Sequence, residues 1–467
     1  MSPLRRARLA SLLIAFGLLA LVLGRFAGGN VERPLSADER EYLIAAGNIL
    51  RYGTYSDLPY LPVTAGPAPP PTSRRPPAYP LFIAAVLAAS GEGTSVPAGL
   101  KSPGARAGLG ALRWSQAVLL ALTAWMACAM TRQLTGRRGM SLFAGLAVGC
   151  VIALDGALNA SAHRFLSESL ALPLIVGLSW SLMVAVARPS RVACLASGLL
   201  LAALVLTRPL LLYAVSPIAA IIVWGCYLRG ASPRRAIIDV AIFLAAFAPP
   251  VLGWMTRNLI LQDRFYIAEG AGLVVGMRAE LNGMSGGEYA ASALYWSGSR
   301  LARGRLLPAL TSEWTGPALE AAENARFDRV MDRRAELRRT HRWPQADAAH
   351  AGEAMKSILE SPADHIRLTP LMFLRGCGFH SSFALGLLMV LAASWATMRA
   401  LLRRDAGMTA LLAPAMLLIL LNALLTHGIP RYTVIAIPIL WCAIAWLLFG
   451  SPGSISSDHD EAMPEAR

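Results

Sequence analysis

The chain has 467 residues, 55% of them hydrophobic and 15% charged, with a mean hydropathy of +0.50. That balance excludes an ordinary soluble domain and fits an all-α polytopic membrane protein. The formal charge of +15 is almost wholly arginine, since Lys101 and Lys356 are the only lysines; its placement in short loops between apolar runs reads as topology and anionic-lipid contact and argues against nucleic-acid binding.

The arginine and alanine excess hints at a GC-rich bacterial source. Cys128, Cys150, Cys194, Cys226, Cys377 and Cys442 lie in or beside apolar runs without CxxC spacing, which supports neither a disulfide framework nor a thiolate metal site.

Apolar runs near 7–27, 110–130, 140–158, 168–187, 192–207, 210–228, 236–256, 378–398, 408–426 and 432–449 predict about ten membrane-spanning helices. Arg5 and Arg6 precede the first run. The loops carrying Arg132, Arg137 and Arg138, then Arg188 and Arg191, then Arg229, Arg234 and Arg235, then Arg399, Arg403 and Arg404 alternate in agreement with the positive-inside rule. Both termini are therefore expected in the cytoplasm of a bacterial inner-membrane protein, with residues 1–27 retained as an anchor. The segments 28–109 and 257–370 face outward and are too long to be plain connectors.

The organisation expected is an N-terminal membrane module over 1–256 whose loop 28–109 carries the site, an outer helical cap over 257–377, C-terminal spans over 378–450 and a disordered cytoplasmic tail over 451–467. In the first outer loop, Tyr42, Ala46, Ile49 and Leu50 recur at helical spacing, predicting an amphipathic helix at the membrane surface that Gly53 ends. The Pro-rich stretch 67–77 follows as a non-helical loop across the site mouth, and residues 79–90 are apolar but too short to span. Within the second outer loop, 317–340 and 347–360 are charged and helix-compatible.

Asp38 and Glu39 stand just beyond the first span, where a carboxylate can serve as a general base; the other reading is a solvated helix start whose acids complement the dipole. His163, Arg164 and Glu168 gather at another outer helix end. Arg164 and Glu168, at i,i+4, either pair with each other or face the acidic pair across a cavity. Arg257 with Asn258, and His427 through Arg431 to Tyr432, complete a polar rim able to hold a phosphate through guanidinium groups. His427 is either a phosphate or metal ligand or a hydrogen-bonded loop residue. The Walker loop, GxSxG elbow, HExxH and Rossmann glycine patterns are missing, which argues against nucleotide-driven and serine-hydrolase chemistry.

The ordered set DEREYLIAAGNILRYGTYS after the first span, RRPPAYPLFIAAVLA, HRFLSESLALPL, LTRP, WMTRNLILQDRFYIAEGAGLVVGM and HGIPRYTVIAIPIL before the last span resembles the GT-C membrane glycosyltransferases, of the protein O-mannosyltransferase and lipid A aminoarabinose transferase type. The resemblance implies a GT-C-like fold and transfer of a sugar from a polyprenyl-phosphate donor to an outward-facing acceptor. On it, Asp38 is the general base and Glu39 orients the acceptor or assists a metal. Glu168 joins the site, with Arg164, Arg257, His427 and Arg431 about the donor phosphate. Tyr42, Arg75, Tyr79, Asn258 and Tyr432 line the cavity or bind the acceptor. A divalent cation held by Asp38 and Glu168 is compatible with this chemistry, although no dedicated spacing compels it. The alternatives are a transporter of a lipid-linked sugar and a non-catalytic homologue.

Overall fold

The computed structural model describes residues 3–28, 34–58, 68–91, 109–136, 138–299, 301–379 and 382–450, and these are helices and connecting segments with no strand among them. The tail expected to be disordered, 451–467, lies outside the described residues. In chain order the helices are α1 (Pro3–Ala27), α2 (Ala37–Tyr52), α3 (Ala78–Ser90), α4 (Gly110–Thr135), α5 (Arg138–Leu154), α6 (Gly156–Ala162), α7 (Glu168–Ala187), α8 (Arg191–Val205), α9 (Val215–Leu228), α10 (Pro233–Gln262), α11 (Ala271–Asn282), α12 (Gly286–Trp296), α13 (Leu307–Leu310), α14 (Gly316–Thr340), α15 (Trp343–Glu360), α16 (Pro362–Gly376), α17 (Phe383–Leu402), α18 (Ala406–Leu425), α19 (Pro430–Thr433) and α20 (Ile437–Phe449).

Among the described residues, eight helical segments are long and apolar enough to cross a membrane, making this a multi-pass membrane protein. Two of the ten expected spans take a different form. The run 140–158 breaks at Asp155, whose carboxylate accepts the backbone N–H groups of Ala157 and Leu158 and starts α6, so α5 and α6 meet at a 53° bend. The run 192–207 forms α8, which at 15 residues is short for a span.

The bundle centres on α7, which packs against α4, α8 and α18. Apolar side chains gain little from associating in lipid, so close packing through small residues must hold such a bundle. The contact faces carry Ala117, Ala121, Ala124 and Ala127 on α4 and Ala171 on α7, all buried. On α8, Gly198 sits so near α10 that a Cβ there would lie 2.2 Å from the Phe243 carbonyl oxygen, and any larger residue would push the two helices apart.

Two helical layers stand on one end of this bundle. Helix α2 opens with a capping box in which the Ser36 hydroxyl accepts the Glu39 N–H and the Glu39 carboxylate accepts the Ser36 N–H. Its apolar face, with Tyr42, Leu43 and Ala46, packs on Tyr79, Ile83 and Leu87 of α3. The second layer is a cap of α11–α16, joined to the bundle where α16 packs against α18. The charged stretches expected to be helical there form α14 and α15. Arg278 is fully buried within the cap and donates to Asn282, to the His365 carbonyl oxygen at 2.8 Å and to Thr369 at 3.2 Å, tying α11 to α16.

Candidate active site

Four helix ends converge between the bundle and these layers. They are the start of α2, the start of α7, the turn after α8 and the start of α19. A strap over residues 68–77 crosses them, held by backbone carbonyls. Arg257 at the end of α10 donates to the Thr72 carbonyl oxygen at 2.8 Å and to that of Tyr55 at 3.2 Å, and Gln262 reaches the Pro71 carbonyl oxygen at 2.5 Å. Thr72 N–H bonds the Tyr55 carbonyl oxygen at 3.0 Å. The strap thereby delivers Arg74 and Arg75 to α2.

The result is a ladder of alternating charge. Asp57 meets Arg74 at 3.3 Å, Arg74 meets Glu41 at 3.1 Å and Arg75 meets Glu41 at 2.5 Å. The same Arg75 donates to Asp38 Oδ1 at 2.6 Å, and Arg431 donates to Asp38 Oδ2 at 2.6 Å. Arg431 Nε also donates to Glu168, which in turn meets Arg208 at 2.8 Å. Aromatic faces back these guanidinium groups, with Tyr42 beneath Arg75 at 5.4 Å and Tyr432 beneath Arg208 at 5.6 Å. Glu168 is buried, and its Oε2 and the Nε of Arg208 are buried atoms without a hydrogen-bond partner.

Electrostatics at Asp38 follow from that placement. Burial raises the affinity of its carboxylate for a proton, but Arg75 and Arg431 together outweigh burial and hold it below the usual carboxylate range. In this arrangement Asp38 is ionised and firmly paired, and therefore a weak base until one of its arginines is drawn elsewhere.

Of the residues singled out from sequence, Asp38, Glu168, Arg431, Arg75, Tyr42 and Tyr432 come together here, and the others do not. Glu39 is fully buried, one carboxylate oxygen taking the Ser36 N–H and hydroxyl, each at 2.8 Å, and the other the Phe165 N–H at 3.0 Å. It fastens the start of α2 to the turn before α7, which corrects the expectation that it orients an acceptor or a metal. Arg164 lies on an exposed bend, and Glu168 pairs with Arg208 and Arg431 in its place, because α7 begins only at Glu168 and the i,i+4 geometry never forms. Arg257 directs its donors to the strap. Asn258 is fully buried and closes the turn to Tyr266 and Ile267, while Tyr79 is fully buried and donates to Gln116 at 2.7 Å, so neither lines a cavity.

His427 also sits apart from the ladder. It lines a cavity of about 300 Å³ with Met277, Glu320, Glu323, Asn324 and Phe327. Burial, with Arg375 adding to it, pushes its imidazole down to about 3, so it is neutral at physiological pH and neighbours carboxylates that repel a phosphate. Gly428 beside it has φ +68°, and a Cβ there would come within 2.6 Å of the Met372 carbonyl oxygen, which fixes this turn against α16.

The expected metal pair fits poorly. Arg431 stands between Asp38 and Glu168, and a cation at that point would face its guanidinium group; among the described residues no group of three or more His, Cys, Asp or Glu side chains could hold a metal ion. The ladder members that sequence reasoning missed are Asp57, Glu41, Arg74 and the role of Arg208. A signal existed for Arg74 in its adjacency to Arg75, and for Glu41 in its place one helical turn beyond Asp38.

No protein-family model matches the chain, and no curated protein matches it. Solved structures are similar to it at low identity, among them the following three. An oligosaccharyltransferase of Archaeoglobus fulgidus in complex with Zn and sulfate is 15% identical, with a TM-score of 0.48, 93% of this chain covered and 48% of that one. The archaeal oligosaccharyltransferase AglB from the same organism, in complex with an inhibitory peptide and a dolichol-phosphate, is 13% identical, with a TM-score of 0.49, 95% of this chain covered and 50% of that one. ArnT from Cupriavidus metallidurans bound to undecaprenyl phosphate is 16% identical, with a TM-score of 0.33, 90% of this chain covered and 77% of that one. The chain thus spans about half the length of the archaeal oligosaccharyltransferases it matches.

Proposed function

We propose that this protein is an integral membrane glycosyltransferase that moves a sugar from a polyprenyl-phosphate donor to an acceptor on the outer face of a bacterial inner membrane. The observation that carries the reading is Arg431 held between two carboxylates, Asp38 and Glu168, where four helix ends meet. The ordered sequence resemblance to the GT-C enzymes supports it independently.

The chemistry follows from the pairing. An incoming phosphodiester competes with Asp38 and Glu168 for Arg431, and the unpartnered Nε of Arg208 offers it a further donor. As Arg431 turns to the phosphate, Asp38 loses one of the two cations that hold its proton affinity down and becomes a better base. The acceptor hydroxyl passes its proton to Asp38 while its oxygen attacks the anomeric carbon. The bond from that carbon to the phosphate oxygen breaks, and the departing polyprenyl phosphate keeps the electron pair beside Arg431 and Arg208. One displacement inverts the anomeric configuration.

The test is sugar transfer by purified protein in proteoliposomes, with radiolabelled polyprenyl-phosphate sugars and a cell-envelope extract as acceptor, beside Asp38→Asn. Transfer that collapses in the variant supports the reading. Carrier movement across the bilayer without covalent transfer, and indifferent to the substitution, would replace it with a lipid-linked sugar transporter.

A further inference from the structure

The strap that carries Arg74 and Arg75 is pinned on its far side by an acidic residue that the proposed transfer does not use. Glu269 follows α10, and its N–H donates to the Ser73 carbonyl oxygen at 3.0 Å. Its Oε1 lies 3.2 Å from the Tyr266 hydroxyl and 3.3 Å from the Ser73 hydroxyl, and those two hydroxyls are also in contact with each other, so two hydroxyl protons serve a triangle of three oxygens. Ser73 is fully buried. The other oxygen, Oε2, is buried with no hydrogen-bond partner. One residue further on, Gly270 N–H donates to Asp347 of α15 at 3.0 Å, so strap, post-α10 turn and cap meet at this point.

Charges facing Glu269 come from the strap side and from the cap, while on its own turn Arg264 lies over the Tyr266 ring at 5.0 Å. Asp57 and Arg74 belong to the first outer segment and pair at 3.3 Å; Asp347 and Arg334 belong to the cap and pair at 3.1 Å. Arg338 of α14 also faces Glu269 and Asp347, and it is pushed down to about 10 by burial and by Arg334 and Arg74. Glu269 is thus a third carboxylate that makes no ion pair, its bonds coming from neutral hydroxyls.

We propose that Glu269 is a proton-linked positioning residue: protonated, it clamps the arginine strap between the post-α10 turn and the cap, and ionised, it loosens that clamp. The inference deepens the transferase reading, because the strap delivers Arg75 to Asp38. Burial, then Asp347 and Asp57, push Glu269 up to about 7 against an ordinary value of 4.5, while Tyr266 and Arg74 oppose them. The sign follows by linkage. A carboxyl whose affinity for a proton is greater in the clamped state stabilises that state fully below pH 4.5, and the benefit is lost as pH rises to about 7.

Hydrogen exchange of the strap amides in the full-length protein in nanodiscs, corrected for intrinsic rates, tests the clamp without any activity assay. Protection of residues 72–75 is expected to fall about tenfold per pH unit between roughly pH 5 and 7 and then level off. Glu269→Gln, which keeps the shape and removes the titration, should flatten that dependence. Tyr266→Phe removes a donor that favours the ionised form and should carry the levelling point above that of the wild type. A flat wild-type profile, a slope that survives in Glu269→Gln, or an unmoved levelling point in Tyr266→Phe would overturn the proposal. A protein with this slope and no sugar transfer would sink the transferase reading and leave the clamp standing.

Discussion

Arg333 and Arg431 each hold two carboxylates, and they differ in what that achieves. Arg333 on the cap pairs with Glu336 at 2.5 Å and Glu353 at 2.7 Å, partners 3 and 20 residues away, and all three side chains are exposed. Arg431 pairs with Asp38 and Glu168, 393 and 263 residues away, and Glu168 is only 1% exposed. Water screens the first set and its loss costs little. The second set fixes where the starts of α2, α7 and α19 lie relative to one another, and the buried members have no solvent to fall back on. Similar bonds are therefore surface decoration in one place and the frame of a site in the other.

Substitutions can break that comparison at several depths. Asp38→Asn is expected to reduce sugar transfer in proteoliposomes roughly a hundred- to ten-thousand-fold, the range of a lost general base. Arg431→Gln should reduce it roughly a hundred- to a thousand-fold through lost stabilisation of the departing phosphate. The same variant also changes the pH profile. Asp38 has its affinity for a proton depressed in the folded protein, so the stability and activity it supports are present above the ordinary carboxylate value and fail only at lower pH. With Arg431 gone, that acid limb should move up toward the ordinary value; an unmoved limb would mean that Arg431 does not govern Asp38. Arg164→Gln, at an exposed bend, should change transfer by less than about threefold; a loss as deep as that of Arg431→Gln would restore it to the phosphate site. At the small end, Arg333→Gln should leave the thermal unfolding midpoint unchanged within error, and a clear drop would erase the contrast between the two sets.

The spans were legible because crossing a bilayer demands a long apolar window, which is a local property of sequence. The break at Asp155 was half legible. An Asp-Gly pair at the end of an apolar run is a helix-start signal, but a hydropathy window averages across it. Glu39 teaches the sharper lesson. Ser36 lies three residues before it, the spacing of a capping box, and that local signal outranks the chemical promise of a carboxylate beside Asp38. The ladder was legible only in its separate members. Which guanidinium group meets which carboxylate depends on how far each helix reaches before it starts or stops, so Glu168 could be assigned to Arg164 by spacing while the fold gives it to Arg208 and Arg431.

The ladder sets as many guanidinium groups as carboxylates, Arg74, Arg75, Arg208 and Arg431 against Asp57, Glu41, Asp38 and Glu168, and so carries no net charge. A neutral, tightly alternating array has little field beyond its own length, and at physiological ionic strength what remains is screened within about 8 Å. The ladder itself adds little pull on an anionic ligand at a distance through water. An amphiphile carried on a long hydrocarbon chain does not require that pull, since it arrives by lateral diffusion within the leaflet and feels the arginines only on contact. On the proposed transferase reading, capture becomes a two-dimensional search, with a rate set by the surface density of the carrier and little dependent on the ladder's own response to bulk salt.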